Sequence, residues 1–259
     1  MGRIIFVTSF KGGVGKTTLA ANLAAALTVL GKRVLVVDAD YGNRCMDLVL
    51  GMESDALFDS ADVIWGRTSF ENAVVRHGEN ERLHFLPAPA FSGSGVPHTR
   101  VVELFARIKE QYDFVIIDSS AEDGEVYRAF ARSADDALVV TFHQSTAIRA
   151  AEKTAITLSE LGFSGVRLVI NCFHGEQARD GALPDVLDII QRSHVRLLGL
   201  IPFDMAVPVM QEAGALPYTG SKRLMVYEAA VLNIAKRLCG VNVPLLDKVY
   251  NPKKLRKHL

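Results

Sequence analysis

The sequence predicts an α/β protein built on a single doubly wound, mostly parallel sheet with helices on both faces. Three observations carry this expectation. Apolar runs rich in β-branched residues alternate with helical stretches through most of the 259 residues. Runs such as Val34-Leu35-Val36-Val37 and Phe114-Val115-Ile116-Ile117 are apolar on successive residues, so both faces of each strand need covering, as crossover helices do in a parallel sheet. A glycine-rich octet, Lys11-Gly-Gly-Val-Gly-Lys-Thr-Thr18, joins the first apolar run to the first helical stretch, which is the strand–loop–helix context of a phosphate-binding loop.

In chain order, Ile4-Ile5-Phe6-Val7 lies in a strand at 3–8, and the Ala/Leu-rich stretch 17–30 after the octet is the first helix. A strand at 33–38 delivers Asp38-Ala39-Asp40 at its end, and a short one follows at 83–87. The stretch 88–97, with its Gly, Ser and Pro, is a long loop and not a domain boundary. A helix at 98–111 leads to a strand at 113–118, where four apolar residues precede Asp118. Helices at 124–133, 145–162, 183–193 and 221–239 then alternate with strands at 135–142, 166–172 and 196–201. No internal repeat or low-complexity linker interrupts the pattern. The expectation is one domain over 1–240 followed by a basic tail at 241–259.

Composition sets limits. Hydrophobic residues make up 49% and charged residues 22%, which suits a globular protein with a large core. The net charge is zero, so the overall balance gives no pull toward nucleic acid. The N-terminal apolar residues belong to the first strand and do not form a secretory signal, and no run approaches the roughly 18 apolar residues of a membrane span. Cys45, Cys172 and Cys239 are far apart; reduced thiols in a cytoplasmic protein are expected.

The octet dictates its own chemistry. Gly12, Gly13, Val14 and Gly15 let successive N–H groups face inward as an anion nest, and the helix N-terminus adds its positive dipole end. Lys16 then reaches the β- and γ-phosphates of a nucleotide, Thr17 ligates Mg²⁺, and Thr18 continues the cradle. The strict spacing fails because position 10 is Phe, which leaves a variant with an extra lysine, Lys11, ahead of the glycines. In open α/β sheets ligands sit at the carboxyl ends of the strands, where Asp38, Asp40 and Asp118 fall. Asp38 and Asp118 are candidates for Mg²⁺, and Asp40 for positioning a water. One Asp after a strand is more often a cap or turn residue; three on the strands flanking a phosphate loop favour function.

The octet resembles the deviant Walker A motif of the MinD/ParA ATPases, and the resemblance is closest to the MinD branch. Asp38-Ala-Asp-Tyr-Gly-Asn-Arg-Cys-Met-Asp47 is similar to that branch's switch I segment, and Pro184 to Ile190 and Ile201-Pro-Phe-Asp204 to its C-terminal region. The resemblance covers residues 3 to about 240. It implies a homodimer formed around two ATP molecules, with Lys11 reaching the partner's nucleotide, and ATP hydrolysis that switches the protein between ADP and ATP states to select the division site. It also implies that Asn171, Pro202 and Asp204 hold the adenine; on sequence alone Asn171 is as readily a turn residue. A protein activator or cargo is implied as partner.

Two segments depart from the family. Asp118-Ser-Ser-Ala-Glu-Asp-Gly124 stands where Asp-Ser-Pro-Ala-Gly is usual, and Cys45 where Asn is usual. Glu122 and Asp123 would repel a triphosphate unless they point away, and a nucleotide-dependent scaffold with little turnover is one alternative. In the tail, Leu255 and Leu259 lie four apart among cations after Pro252. That pattern reads as a short membrane-surface helix for an anionic leaflet, or as a solvated basic tail. DNA contact, as in ParA-like partition ATPases, is the other alternative.

Overall fold

The structure is a computed structural model and describes residues 2–53, 55–91, 95–216, 225–246 and 249. Among these, β1 (Arg3–Thr8), β2 (Val34–Ala39), β3 (Val75–His77), β4 (Asn80–Leu86), β5 (Phe114–Ser119), β6 (Asp136–Thr141), β7 (Val166–Phe173) and β8 (Leu197–Pro202) form one sheet. Its order is β3-β4-β2-β5-β1-β6-β7-β8, parallel throughout except between β3 and β4. The order places β1 between β5 and β6, so the loop leaving its C-terminal end opens at mid-sheet. Val7 and Asp38 both register with Asp118. The two carboxylates therefore stand side by side next to the start of the glycine loop.

Alternation along β1 divides the interior in two. Ile4 and Phe6 pack into one core with Leu104, Phe105, Phe130 and Leu158, while Ile5 and Val7 pack into another with Leu23, Leu27, Val231 and Ile234. The second core is built around α1 (Lys16–Val29), which buries every residue from Leu19 to Thr28. It is buried all round because it meets the sheet on one side and α11 (Val226–Leu238) and α2 (Met46–Leu50) on others. On the opposite face α5 (His98–Gln111) is amphipathic and buries Val101, Leu104, Phe105 and Ile108, each contributing about 1.5–3 kcal/mol. Beside it lie α6 (Glu125–Ala131), α7 (Ser145–Glu160) and α9 (Val186–Ser193).

The long elements fall close to their expected places, with differences at the ends and edges. The helix expected from 183 begins at Val186, because Asp185 is its N-cap, exchanging side-chain and backbone bonds with Asp188. The strand β3 was not expected: three residues joined to β4 by a Gly78–Glu79 turn give too short an alternation to read. Five helices of four to seven residues were likewise unexpected: α2, α3 (Ser60–Ile64), α4 (Phe70–Ala73), α8 (Gly175–Arg179) and α10 (Ala206–Glu212). None spans two full turns, so none repeats its apolar positions often enough to show a period. The ends of α2 and α10 approach backbone to backbone. A Cβ on Gly51 would lie 2.6 Å from the Gly214 carbonyl oxygen, and one on Gly214 would lie 2.8 Å from the Gly51 Cα.

Among the described residues no helix is long and apolar enough to cross a membrane. Of the basic tail, Leu245, Leu246 and Val249 pack against the core. The surface helix expected at 252–259 lies outside the described residues, as do 221–224 of the last expected helix.

Candidate functional site

At the C-terminal edge of the sheet is a cavity of about 810 Å³, lined by Gly12, Gly13, Gly15, Lys16, Thr17 and Thr18 of the loop, by Ala39, Asp40, Tyr41 and Asn43 after β2, and by Ser120 to Tyr127 after β5, Asp123 excepted. The loop holds its shape by left-handed glycines, with φ of 76° at Gly13 and 84° at Gly15, a region costly to residues bearing a Cβ. Val14 is fully buried. From outside the cavity the Asn171 side chain donates from Nδ2 to the Val14 carbonyl at 3.0 Å. The same nitrogen would lie 2.4 Å from a Cβ at Gly15. Asn171 thus braces the loop from the end of β7.

Charge is concentrated below the loop. Lys16 is 8% exposed and Asp118 1%. Burial lowers the Lys16 ammonium's pKa, against the opposing pull of Asp118 and Asp40. Burial pushes Asp118 well above the ordinary carboxylate range, and Asp38 beside it adds to the effect, while Thr17 and Lys16 oppose it. Asp38 is pushed up to about 7, again by burial first, although its two oxygens accept from the backbone N–H groups of Asp40 at 2.9 Å and Met46 at 3.3 Å. Among the described residues Asp118 Oδ1 is buried with no hydrogen-bond partner. Two crowded carboxyls, one with an orphaned acceptor, beside a threonine hydroxyl suit a hard divalent cation that takes its remaining ligands from phosphate and water. The described residues hold no cage of three or more His, Cys, Asp or Glu, so Mg²⁺ held mainly through phosphate fits, and an all-protein metal centre does not.

The segment after β2 is tied to this pair. Asn43 Nδ2 donates to both Asp40 oxygens at 3.2 Å. Arg44 has a φ of 40° and pairs through Nε with Asp47 at 2.7 Å. Cys45 is exposed, its thiol pushed up by partial burial and by Asp38. After β5 the two departing carboxylates separate. Asp123 forms a two-pronged pair with Arg128 at 2.7 and 2.5 Å and does not line the cavity, whereas Glu122 does.

The remaining expected residues are placed apart from the cavity wall. Lys11 is exposed beside the cavity. Pro202 ends β8, and Asp204 accepts from the Ala206 N–H at 2.9 Å, just ahead of α10. With Asn171 they mark the β7–β8 side of the loop. Three features escaped the sequence reading. Tyr127 lines the cavity with its hydroxyl 3.0 Å from Thr8 Oγ1, but in sequence it is one apolar residue of a helix. His143, His174 and Phe203, from the ends of β6, β7 and β8, form a continuous ring stack, which only the strand order brings together. Gln211 of α10 donates from Nε2 to Thr18 Oγ1 at 2.9 Å across 193 residues of chain.

Comparison with known proteins gives consistent matches. The family described as an AAA domain matches residues 2–162. The septum site-determining protein MinD of Synechocystis sp. is 34% identical over 248 residues, covering 95% of this chain and 93% of the relative. A chain of the MinC:MinD cell division protein complex of Aquifex aeolicus superposes with a TM-score of 0.87 at 31% identity, covering 95% of this chain and 99% of that one. The Pyrococcus horikoshii septum site-determining protein MinD complexed with Mg-ADP gives a TM-score of 0.78 at 26% identity, over 92% and 96%.

Proposed function

The chain belongs to the MinD family of P-loop ATPases, and from that membership we propose that it binds ATP with Mg²⁺, pairs with a second copy around two nucleotides, hydrolyses ATP slowly, and uses the cycle to select the division site at the inner membrane surface. The observation that carries the reading is the meeting of the glycine loop, Lys16 and Asp40 at one 810 Å³ cavity, beside the buried Asp38–Asp118 pair.

Hydrolysis joins a water oxygen to the γ-phosphorus, breaks the bond to the β–γ bridging oxygen, and releases ADP, phosphate and a proton. Little covalent help is needed, so the chain acts by positioning and neutralising. Gly12 to Thr18 cradle the phosphates, with Lys16 on the β- and γ-oxygens. Thr17, Asp38 and Asp118 would hold Mg²⁺, which when bound neutralises phosphate charge. Asp40, held by Asn43, orients the attacking water. Lys11 extends to the nucleotide of the second copy. Asn171, Pro202 and Asp204 receive the adenine. The tie between Asp123 and Arg128 supports the reading, since it removes one of two carboxylates from the phosphate end.

The Aquifex relative is solved as a MinC:MinD complex; a protein partner of that kind, as activator or cargo, is proposed for this chain too. The single domain with a basic tail at 241–259 supports a peripheral position on an anionic membrane. Calorimetry tests the nucleotide site: Lys16→Ala should abolish ATP binding, and near-normal affinity in that variant would refute the assignment. Sedimentation with anionic liposomes and with DNA, each in ATP and in ADP, tests the surface. ATP-dependent pelleting with liposomes supports the membrane reading, and pelleting with DNA alone replaces it by a partition-type one.

A further inference from the structure

Thr18 lies two residues after Lys16 in the first turn of α1 and lines the phosphate cavity. A hydroxyl has one proton to donate and two lone pairs to accept with. A threonine in a helix commonly turns that proton onto the carbonyl four residues earlier, here Val14, whose oxygen already accepts from Asn171. Phosphate oxygens at neutral pH only accept, so they need the Thr18 proton and not its lone pairs. Gln211 supplies the complement: its Nε2 donates to Thr18 Oγ1 at 2.9 Å, filling an acceptor site and leaving the proton for the cavity side.

We propose that Gln211 is a positioning residue for the nucleotide, holding the Thr18 hydroxyl in the orientation that donates to a phosphate oxygen. The proposal rests on the nucleotide reading of the cavity and adds to it a residue from the other end of the chain. The helix that carries Gln211 is fixed at both ends. Asp204 accepts from the Ala206 N–H at its N-terminus, and Gly214 meets Gly51 at its C-terminus. A donor held this way loses little freedom when the ligand arrives, so its bond is available at small entropic cost. Two carboxamides from other elements then grip the octet from outside the cavity: Asn171 on the Val14 carbonyl and Gln211 on the Thr18 hydroxyl. Only the last faces a group that can touch the ligand.

The test is calorimetry of the full chain with Mg-ADP, on Gln211→Met, Gln211→Glu, Thr18→Val and the Gln211→Met/Thr18→Val pair. Gln211→Met keeps the side-chain length and removes the donor, and should weaken binding about 3- to 10-fold, the size of one neutral hydrogen bond. Gln211→Glu should weaken it more, by about tenfold or beyond, because an acceptor-only carboxylate claims the Thr18 proton and adds negative charge near phosphate. The pair should bind no more weakly than Thr18→Val alone, since the glutamine acts through that hydroxyl. Melting temperatures without nucleotide should stay near the parent's, as Gln211 is half-buried on a surface helix. Parent-like affinity in both Gln211 variants overturns the role, as does a Gln211→Met loss that persists in full on the Thr18→Val background. Absence of Mg-ADP binding by the parent chain defeats the nucleotide reading and this role with it; normal parent binding with unaffected variants defeats the role alone.

Discussion

Gly15 leaves no room for a side chain. Its φ of 84° strains any residue with a Cβ, and the Asn171 amide stands where that carbon would go. Gly15→Ala should therefore destabilise the fold by about 1–3 kcal/mol and abolish ATP binding; chemical denaturation and calorimetry on the same variant check both. Asp38 offers a second single-residue experiment. Its carboxyl ionises at 3.8 in an unfolded chain and at about 7 in the fold, so the native state holds the proton that the unfolded state releases. Its contribution is intact below 3.8, is lost as pH rises through about 7, and stays lost above. Melting of the Mg²⁺-free protein should fall across that window, and Asp38→Asn should lessen the fall, the remainder coming from Asp118, which burial also raises. An unchanged profile in that variant would assign the dependence elsewhere. The glycine pattern and the Asp38–Asp40–Asp118 trio were legible because each follows a strand that sequence periodicity locates. Gln211 was not, because neither type nor spacing links it to Thr18; only the packing of α10 does.

The elements that could be read in advance were those long enough to repeat. The strands β2 and β5 declare burial on both faces by unbroken apolar runs, and α5, α7 and α9 repeat their apolar positions over at least two turns. The edge strand β3 has three residues, and α2 and α10 fewer than eight each; tertiary packing decides such pieces. Yet α2 and α10 are the elements joined to Asp38 and Thr18, so the unreadable pieces adjoin the site. Boundaries follow local chemistry instead: Asp185 and Asp188 close a reciprocal cap on α9. Asp185→Ala should cost about 1 kcal/mol in urea unfolding and leave nucleotide affinity unchanged, since α9 lines no part of the cavity. A loss of affinity would mean that α9 reaches the site through α7.

Across the molecule, the strand order sets β1 between β5 and β6, with carboxylates on one side of the loop and the ends of β7 and β8 on the other. A nucleotide laid along that edge would touch both sides at once, and its γ-phosphate would be the part exposed to a second copy. Asp40→Ala should then keep ATP binding, stop turnover and accumulate a dimer in ATP; light scattering that reports a monomer, or continued phosphate release, rules out its water-positioning role. Deletion of 252–259 should remove ATP-dependent liposome pelleting and leave ATP affinity intact, whereas pelleting that survives the deletion places the membrane contact elsewhere. The crossing of Gly51 over Gly214 bears on how such a cycle could run. Here two bare backbones meet with no side chain between them, so the two helix ends lock at a spacing that only glycine permits. The Gln211 side of the site and the segment behind Asp38 are thereby held in one relation, and a single added methyl at the crossing would push them apart.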